Sequence, residues 1–141
     1  MKAYLLDVDV LLALSWPEHE FHGRVQDWFG RHGAQAWATC PMVQAGFVRI
    51  LSNPSFSTRA VSSMEALDAL AKNVQHPGHQ FWPDDISVVV GLGNRSPRIV
   101  GHNQVTNAYL VALAVHYRGK LATMDRGIAA WANSGAVEMI E

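Results

Sequence analysis

A single cysteine, Cys40, rules out any intrachain disulfide. That suits a reducing cytoplasm, and a cytoplasmic protein is expected. Long apolar runs are also lacking. Val88–Leu92 and Tyr109–Val115 fall far short of the roughly 18 to 20 residues that a membrane span needs. Asp7 interrupts the apolar start of the chain, which argues against a secretory signal. Charge of one sign is scarce, since the formal net charge is −1. A simple nucleic-acid-binding module usually carries a strongly basic field. Contact with phosphate would here have to be local, through a groove or through metal ions. Gly91-Leu92-Gly93 lacks the third glycine of a dinucleotide fingerprint. No serine or cysteine sits in a recognisable nucleophile motif. His19 with His22, and His76 with His79, are spaced three apart, but further zinc ligands at diagnostic spacing are missing.

What remains is a core-forming chain. With 49% hydrophobic and 16% charged residues in 141, one domain spanning 1–141 is expected, with no need of staples. No repeat, linker or low-complexity tract interrupts it. Short apolar runs alternate with helical patterns. Strands are predicted at Ala3–Leu6, Ala36–Cys40, His79–Trp82, Leu121–Met124 and Val137–Ile140. Helices are predicted at Val8–Ser15, at His19–Arg31 with Gly30 and Gly33 marking its end, and from Pro41 to about Ser52. Further helices are predicted at Ser62–Val74, Gln104–His116 and Ile128–Ala132. Ile86–Arg98 reads as a short turn of helix and a loop. This alternation predicts an α/β fold with a mostly parallel sheet and helices on both faces.

In such folds ligands bind beyond the carboxyl ends of the strands. Two predicted strands end there in an acid: Asp7 follows Tyr4-Leu5-Leu6, and Asp125 follows Leu121-Ala122-Thr123-Met124. A carboxylate at the end of a buried strand needs a partner. Capping the next helix is one reading of Asp7. A shared cation is the other, and two such acids at one sheet edge favour it. Asp9 reads either as a cap of the first helix or as extra charge at the site. Thr123 shares the strand side of Asp125, so its hydroxyl either orients a carboxylate or water, or is satisfied by backbone. Arg49 reads as a structural ion pair or a phosphate contact, and Asp84 and Asp85 as turn caps.

Five blocks carry a family resemblance. Leu6-Asp7-Val8-Asp9-Val10-Leu11-Leu12 resembles the opening motif of PIN-domain toxins of the VapC kind. Thr39-Cys40-Pro41-Met42-Val43-Gln44-Ala45-Gly46-Phe47-Val48-Arg49, with Leu51-Ser52-Asn53-Pro54 after it, resembles their second block. Phe81-Trp82-Pro83-Asp84-Asp85-Ile86-Ser87, Gln104 to Ala114, and Leu121-Ala122-Thr123-Met124-Asp125-Arg126-Gly127 resemble the others, in order. The resemblance implies a three-layer α/β/α sandwich and phosphodiester hydrolysis of RNA assisted by Mg²⁺ or Mn²⁺. It places Asp7, Gln44, Asn107 and Asp125 at the four positions that are acidic in the family, with Asp7 and Asp125 as the remaining metal carboxylates. It further implies a homodimer and a small VapB-like antitoxin.

Here the chain departs from the pattern. Gln44 stands where Glu is usual, Asn107 where Asp is usual, and Asp9 where Asn is usual. Amides keep a carbonyl oxygen but lose the charge, so weaker metal binding is expected. Two readings stay open: a weakened endoribonuclease, or a catalytically dead PIN fold that binds RNA or an antitoxin without cutting. A haloacid-dehalogenase-like phosphatase is a third, since Asp7-Val8-Asp9-Val10 resembles its nucleophile motif. That family needs a downstream lysine, and only Lys72 and Lys120 are on offer. For the dimer, Trp28-Phe29 and Phe47-Val48-Ile50-Leu51 look like apolar surplus available for a symmetric interface.

Overall fold

The computed structural model describes residues 2–56, 59, 61–93 and 101–141. Five strands form one sheet: β1 (Tyr4–Leu6), β2 (Trp37–Thr39), β3 (His79–Phe81), β4 (Lys120–Thr123) and β5 (Val137–Met139). Their order is β3-β2-β1-β4-β5 and every pair is parallel. Leu5 and Leu6 of β1, Ala38 of β2, and Leu121 and Ala122 of β4 are fully shielded. That is the expected composition of strands covered on both faces.

Helices fill the crossovers: α1 (Val8–Ser15), α2 (His22–Trp28), α3 (Pro41–Leu51), α4 (Ser63–Asn73), α5 (Val88–Gly93), α6 (Val105–His116) and α7 (Arg126–Trp131). From β1 to β3 the chain steps outward on one side. It then returns past β1 to β4, so right-handed crossovers put α1 to α4 on one face and α5 and α6 on the other. The result is the expected three-layer α/β/α arrangement. On α6, Ala108 to Ala114 are all buried, which makes it the central helix of its layer.

Local chemistry sets the boundaries. Ser62 and Glu65 form a reciprocal capping box at the start of α4, and Pro41 opens α3. The predicted helix from His19 to Arg31 begins later, because Trp16 to Phe21 form turns and His19 Nδ1 accepts the Phe21 N–H. It also ends differently. Phe29–Gly33 form one wide π turn, closed by Ala34 N–H to Phe29 C=O at 2.8 Å. A side chain at Gly33 would begin 2.8 Å from the Trp28 ring, so only glycine lets the turn close. Of the predicted segment Ile86–Arg98, the part from 94 on lies outside the described residues, while Val88–Gly93 are helical.

The apolar residues assigned to a dimer face are largely core. Phe47, Leu51 and Trp28 are buried within the chain. They complete the packing of α2 and α3 on the sheet, whereas Phe29, Val48 and Ile50 of the same face stay half-buried. Exposed apolar side chains lie elsewhere, at Val88, Val89 and Val90 on α5 and at Met64 and Leu67 on α4. Among the described residues no helix is long and apolar enough to cross a membrane.

Candidate functional site

The carboxyl ends of β2, β1 and β4 lie side by side, with Leu6 paired to Ala122 and Leu5 to Ala38. Asp7 leaves β1 with its N–H still bonded to Ala122 C=O, and the chain turns at once into α1. Asp7 is only 6% exposed. One oxygen accepts the Val10 N–H at 2.8 Å, so Asp7 caps α1. The other accepts the hydroxyl of Thr123, which in turn accepts the Asp125 N–H at 3.0 Å. Capping and site-building are thus done by the two oxygens of one carboxylate. Thr123 ties it to the acid on the neighbouring strand, which is the orienting role considered for that residue. Asp125 is exposed and caps α7 through Gly127 N–H at 2.8 Å, which starts that helix earlier than predicted.

The electrostatics are unfavourable by construction. Burial, above all, drives the Asp7 carboxyl up to about 7, and the charges of Asp9 and Asp125 push the same way. The bonds from Thr123 and Val10 pull it down. Among the described residues no basic side chain forms an ion pair with Asp7 or Asp125. Asp9 itself is exposed and does not cap α1; Asp7 does.

The two amide positions stand apart from this network. Gln44, on α3, donates from Nε2 to Thr39 Oγ1 at 3.0 Å, and Thr39 meets His79 Nε2 at 2.7 Å. Gln44 is therefore tied to β2 and β3 rather than to Asp7. Its helix lies close to α1 because Gly46 leaves room for Val8, whose methyl sits 2.8 Å from where a side chain at 46 would begin. Asn107 lies in the first turn of α6, half-buried, and its side chain makes no hydrogen bond to a described residue. Arg49 is exposed and forms no ion pair with a described carboxylate, so the structural-pair reading finds no support.

Asp84 and Asp85 are not local turn caps. Asp84 accepts the Met42 N–H at 3.2 Å and so caps α3 from across the sheet edge. Together with burial it drives the Cys40 thiol up to about 12, which keeps that thiol protonated and inert. Asp85 accepts the Tyr117 hydroxyl at 2.7 Å and meets His116 at 3.3 Å. The histidines are engaged locally, His22 with Ala13 C=O and His76 with Trp37 Nε1 and Gly78 N–H.

One residue escaped the sequence reading. Gln104 ends the 3₁₀ turn His102–Gln104 that leads into α6. Its Nε2 lies 3.5 Å from the point where a Gly127 side chain would begin, a point itself 3.0 Å from Asp125 Oδ1. Its Oε1 is shielded from solvent and has no hydrogen-bond partner. The available signal was spacing, since Gln104 precedes Asn107 by one helical turn.

Two carboxylates mark this edge, with the Gln104 amide nitrogen on the Gly127 side of Asp125. Among the described residues no group of three or more His, Cys, Asp or Glu is placed to hold a metal. Mg²⁺ sites, however, often use one or two carboxylates with carbonyls, water and substrate phosphate. A desolvated acid repelled by its acidic neighbours fits a hard divalent cation.

Three curated proteins of Mycobacterium tuberculosis resemble the chain along most of its length. Ribonuclease VapC39 is 41% identical over 136 residues, covering 96% of this chain and 98% of the relative. Ribonuclease VapC38 is 40% identical, covering 88% and 86%, and ribonuclease VapC44 is 38% identical, covering 95% and 94%. No protein-family model matches. Among solved structures, a chain of the VapBC2 complex from Rickettsia felis bound to a promoter DNA fragment superposes with a TM-score of 0.66. It is 11% identical, over 99% of each chain, so the likeness speaks to the fold.

Proposed function

The chain belongs to the VapC family of ribonucleases, the toxins of VapBC toxin–antitoxin systems, and from that premise we propose that it is an Mg²⁺- or Mn²⁺-dependent endoribonuclease working at the Asp7–Asp125 edge. The observation that carries this reading is the wiring of Asp7 through Thr123 to Asp125, with the Asp7 carboxyl raised to about 7 and no ion pair to either acid among the described residues. A divalent cation held there supplies charge compensation and Lewis acidity toward the scissile phosphate. The chain's own part is orientation. Val10 N–H and the Thr123 hydroxyl fix the plane of the Asp7 carboxylate, and Asp125 presents its other oxygen to solvent. Asp9 adds negative charge that favours the cation.

With Gln44 turned to Thr39 and Asn107 uncharged, the donor set is short of negative charge, and slow cleavage is the expected behaviour. The same observation favours the second reading, a PIN fold that binds RNA or an antitoxin without cutting. The phosphatase reading weakens, because Lys120 opens β4 and so lies at the opposite end of that strand from Asp125. Incubating a labelled RNA pool with the protein in Mn²⁺ or in chelator decides between the first two. Metal-dependent fragments that vanish with Asp7→Ala support the enzyme. RNA retained intact by a protein that still binds it supports the silent fold.

The partners proposed with this reading are an RNA substrate and a VapB-like antitoxin, with a cytoplasmic location. The similarity to a VapBC assembly supports the antitoxin. In this reading a segment of the antitoxin would cover the acidic edge, with a basic side chain beside Asp7 and Asp125. A pull-down with a co-expressed antitoxin that recovers nothing would remove this partner. A homodimer is proposed as well, now through Val88, Val89 and Val90 of α5, where Val89 is 83% exposed. Light scattering that finds a monomer at micromolar concentration contradicts it.

A further inference from the structure

Asp7 and Asp125 follow β1 and β4, and two basic residues, Lys2 and Arg118, precede the same two strands. Each lies two residues ahead of the Tyr4–Lys120 pair, and Lys120 N–H bonds Ala3 C=O at 3.2 Å. Gly119 permits this close approach, because a side chain there would overlap Ala3 C=O and the Trp82 ring. Trp82 stacks on Tyr117 with ring centres 4.7 Å apart. With Gln80 these residues line a pocket of about 410 Å³, to which the described residues contribute two cations and no carboxylate. Both cations are exposed, and among the described residues neither forms an ion pair. Like charges held side by side without an acid attract an anion.

The backbone gives a second, independent sign. α6 ends in a Schellman turn: Gly119 N–H reaches Ala114 C=O at 2.8 Å, and Arg118 N–H reaches Val115 C=O at 3.0 Å. The left-handed position of that turn, at φ 60°, is held by Arg118, where glycine would carry no steric cost. Among the described residues no other non-glycine has a positive φ. An arginine kept in a strained conformation points to a use for its side chain. A guanidinium grips phosphate through paired N–H donors, and an ammonium adds a point charge. We propose that Lys2 and Arg118 form an RNA exosite, which holds backbone phosphate at the amino end of the sheet. Lys2 stands five residues of chain before Asp7, ~17 Å if extended, so the strand is gripped apart from where it is cut. The proposal rests on the ribonuclease reading above.

Fluorescence anisotropy of a labelled single-stranded RNA, with the protein in chelator over a range of NaCl concentrations, tests it. Each phosphate contact adds about 0.7 to the steepness with which log affinity falls against log salt. Arg118→Gly and Lys2→Gln should each weaken binding severalfold and make that slope shallower by about 0.7. Arg118→Gly should also hold or raise the melting temperature, so the lost binding is not lost folding. Arg118→Lys keeps the charge and should keep the slope. With Mn²⁺, the double variant Lys2→Gln, Arg118→Gly should raise KM and leave kcat alone. Arg118→Gly with wild-type affinity and slope overturns the exosite. So does adenosine monophosphate that binds the wild type and not Arg118→Gly in calorimetry while RNA affinity is unchanged, which would assign the pocket to a free nucleotide. RNA cut by the wild type and the double variant with the same KM sinks the exosite alone. A shallower slope in the variants of a protein that cuts nothing supports the exosite and sinks the enzyme reading. Wild-type protein that binds no RNA sinks both.

Discussion

Replacing Asp7 with asparagine should stabilise the metal-free protein above neutral pH. The Asp7 carboxyl ionises at about 7 in the fold, against 3.8 for the ordinary group, and burial is the leading cause. Between those pH values the unfolded chain has lost the proton and the folded one has kept it. The folded state binds more protons, so its stability falls as pH rises, and the loss is complete above about 7. A gap of about three pH units is worth about 4 kcal/mol at ~1.36 kcal/mol per unit. Asparagine has the same shape, caps helices as well as aspartate, and can still accept the Val10 N–H. It has no charge to desolvate. Asp7→Asn should therefore match the wild type near pH 4 and exceed it by up to about 4 kcal/mol at pH 8, roughly 10 °C in melting temperature for a chain of this length. Thermal melts in chelator from pH 4 to 8 measure the difference. A difference that stays flat across that range, or a variant less stable than wild type at pH 8, refutes the reasoning. The same substitution should eliminate cleavage, which makes Asp7 a position where function is kept at the expense of stability.

Thr123→Val removes both the donor to Asp7 and the acceptor of the Asp125 N–H. It should cost about 1–3 kcal/mol at pH 8, less at pH 5, and should push the Asp7 carboxyl above 7, as denaturant melts and an NMR titration would show. Gln44→Glu places a carboxylate one hydroxyl away from His79, whose imidazole is now held low by burial and by His76. The His79 pKa should rise, and an unchanged NMR titration would contradict the Gln44–Thr39–His79 chain. Gly46→Ala drives a methyl against Val8 at the α1–α3 contact. The better helix propensity of alanine offsets part of the strain, and a net loss of about 1 kcal/mol is expected in denaturant melts.

Much of this fold is written in local pattern. Leu5-Leu6 and Leu121-Ala122 read as buried strands, and α6 stood out because an unbroken apolar stretch has no polar side to give solvent. Asp7 and Asp125 were legible because an acid directly after such a strand has few ways to be satisfied. The misses share a cause: their partners are remote in sequence. Asp84 caps a helix that begins more than forty residues earlier, so a turn was the nearest local explanation. Phe47 and Leu51 looked like surplus only while the α1 and α4 surfaces that cover them were unknown. The π turn at Phe29–Gly33 depends on how Gly33 meets the Trp28 ring, which no periodicity encodes. Gln104 sat inside a recognised block, yet its unpartnered oxygen exists only in three dimensions.

The central claim is that this edge binds a divalent cation and cuts RNA with it, short of the two carboxylates that Gln44 and Asn107 replace. Restoring the one at position 107 tests it most directly. Asn107 stands in the first turn of α6, where the helix dipole tolerates an anion. Cleavage of a labelled RNA pool in Mn²⁺ should therefore be about tenfold faster or more for Asn107→Asp than for wild type, the equivalent of about 1.4 kcal/mol in the transition state. The gain should disappear when Asp7→Ala is added. Equal rates for the wild type and Asn107→Asp, with equal Mn²⁺ affinity, would contradict the account.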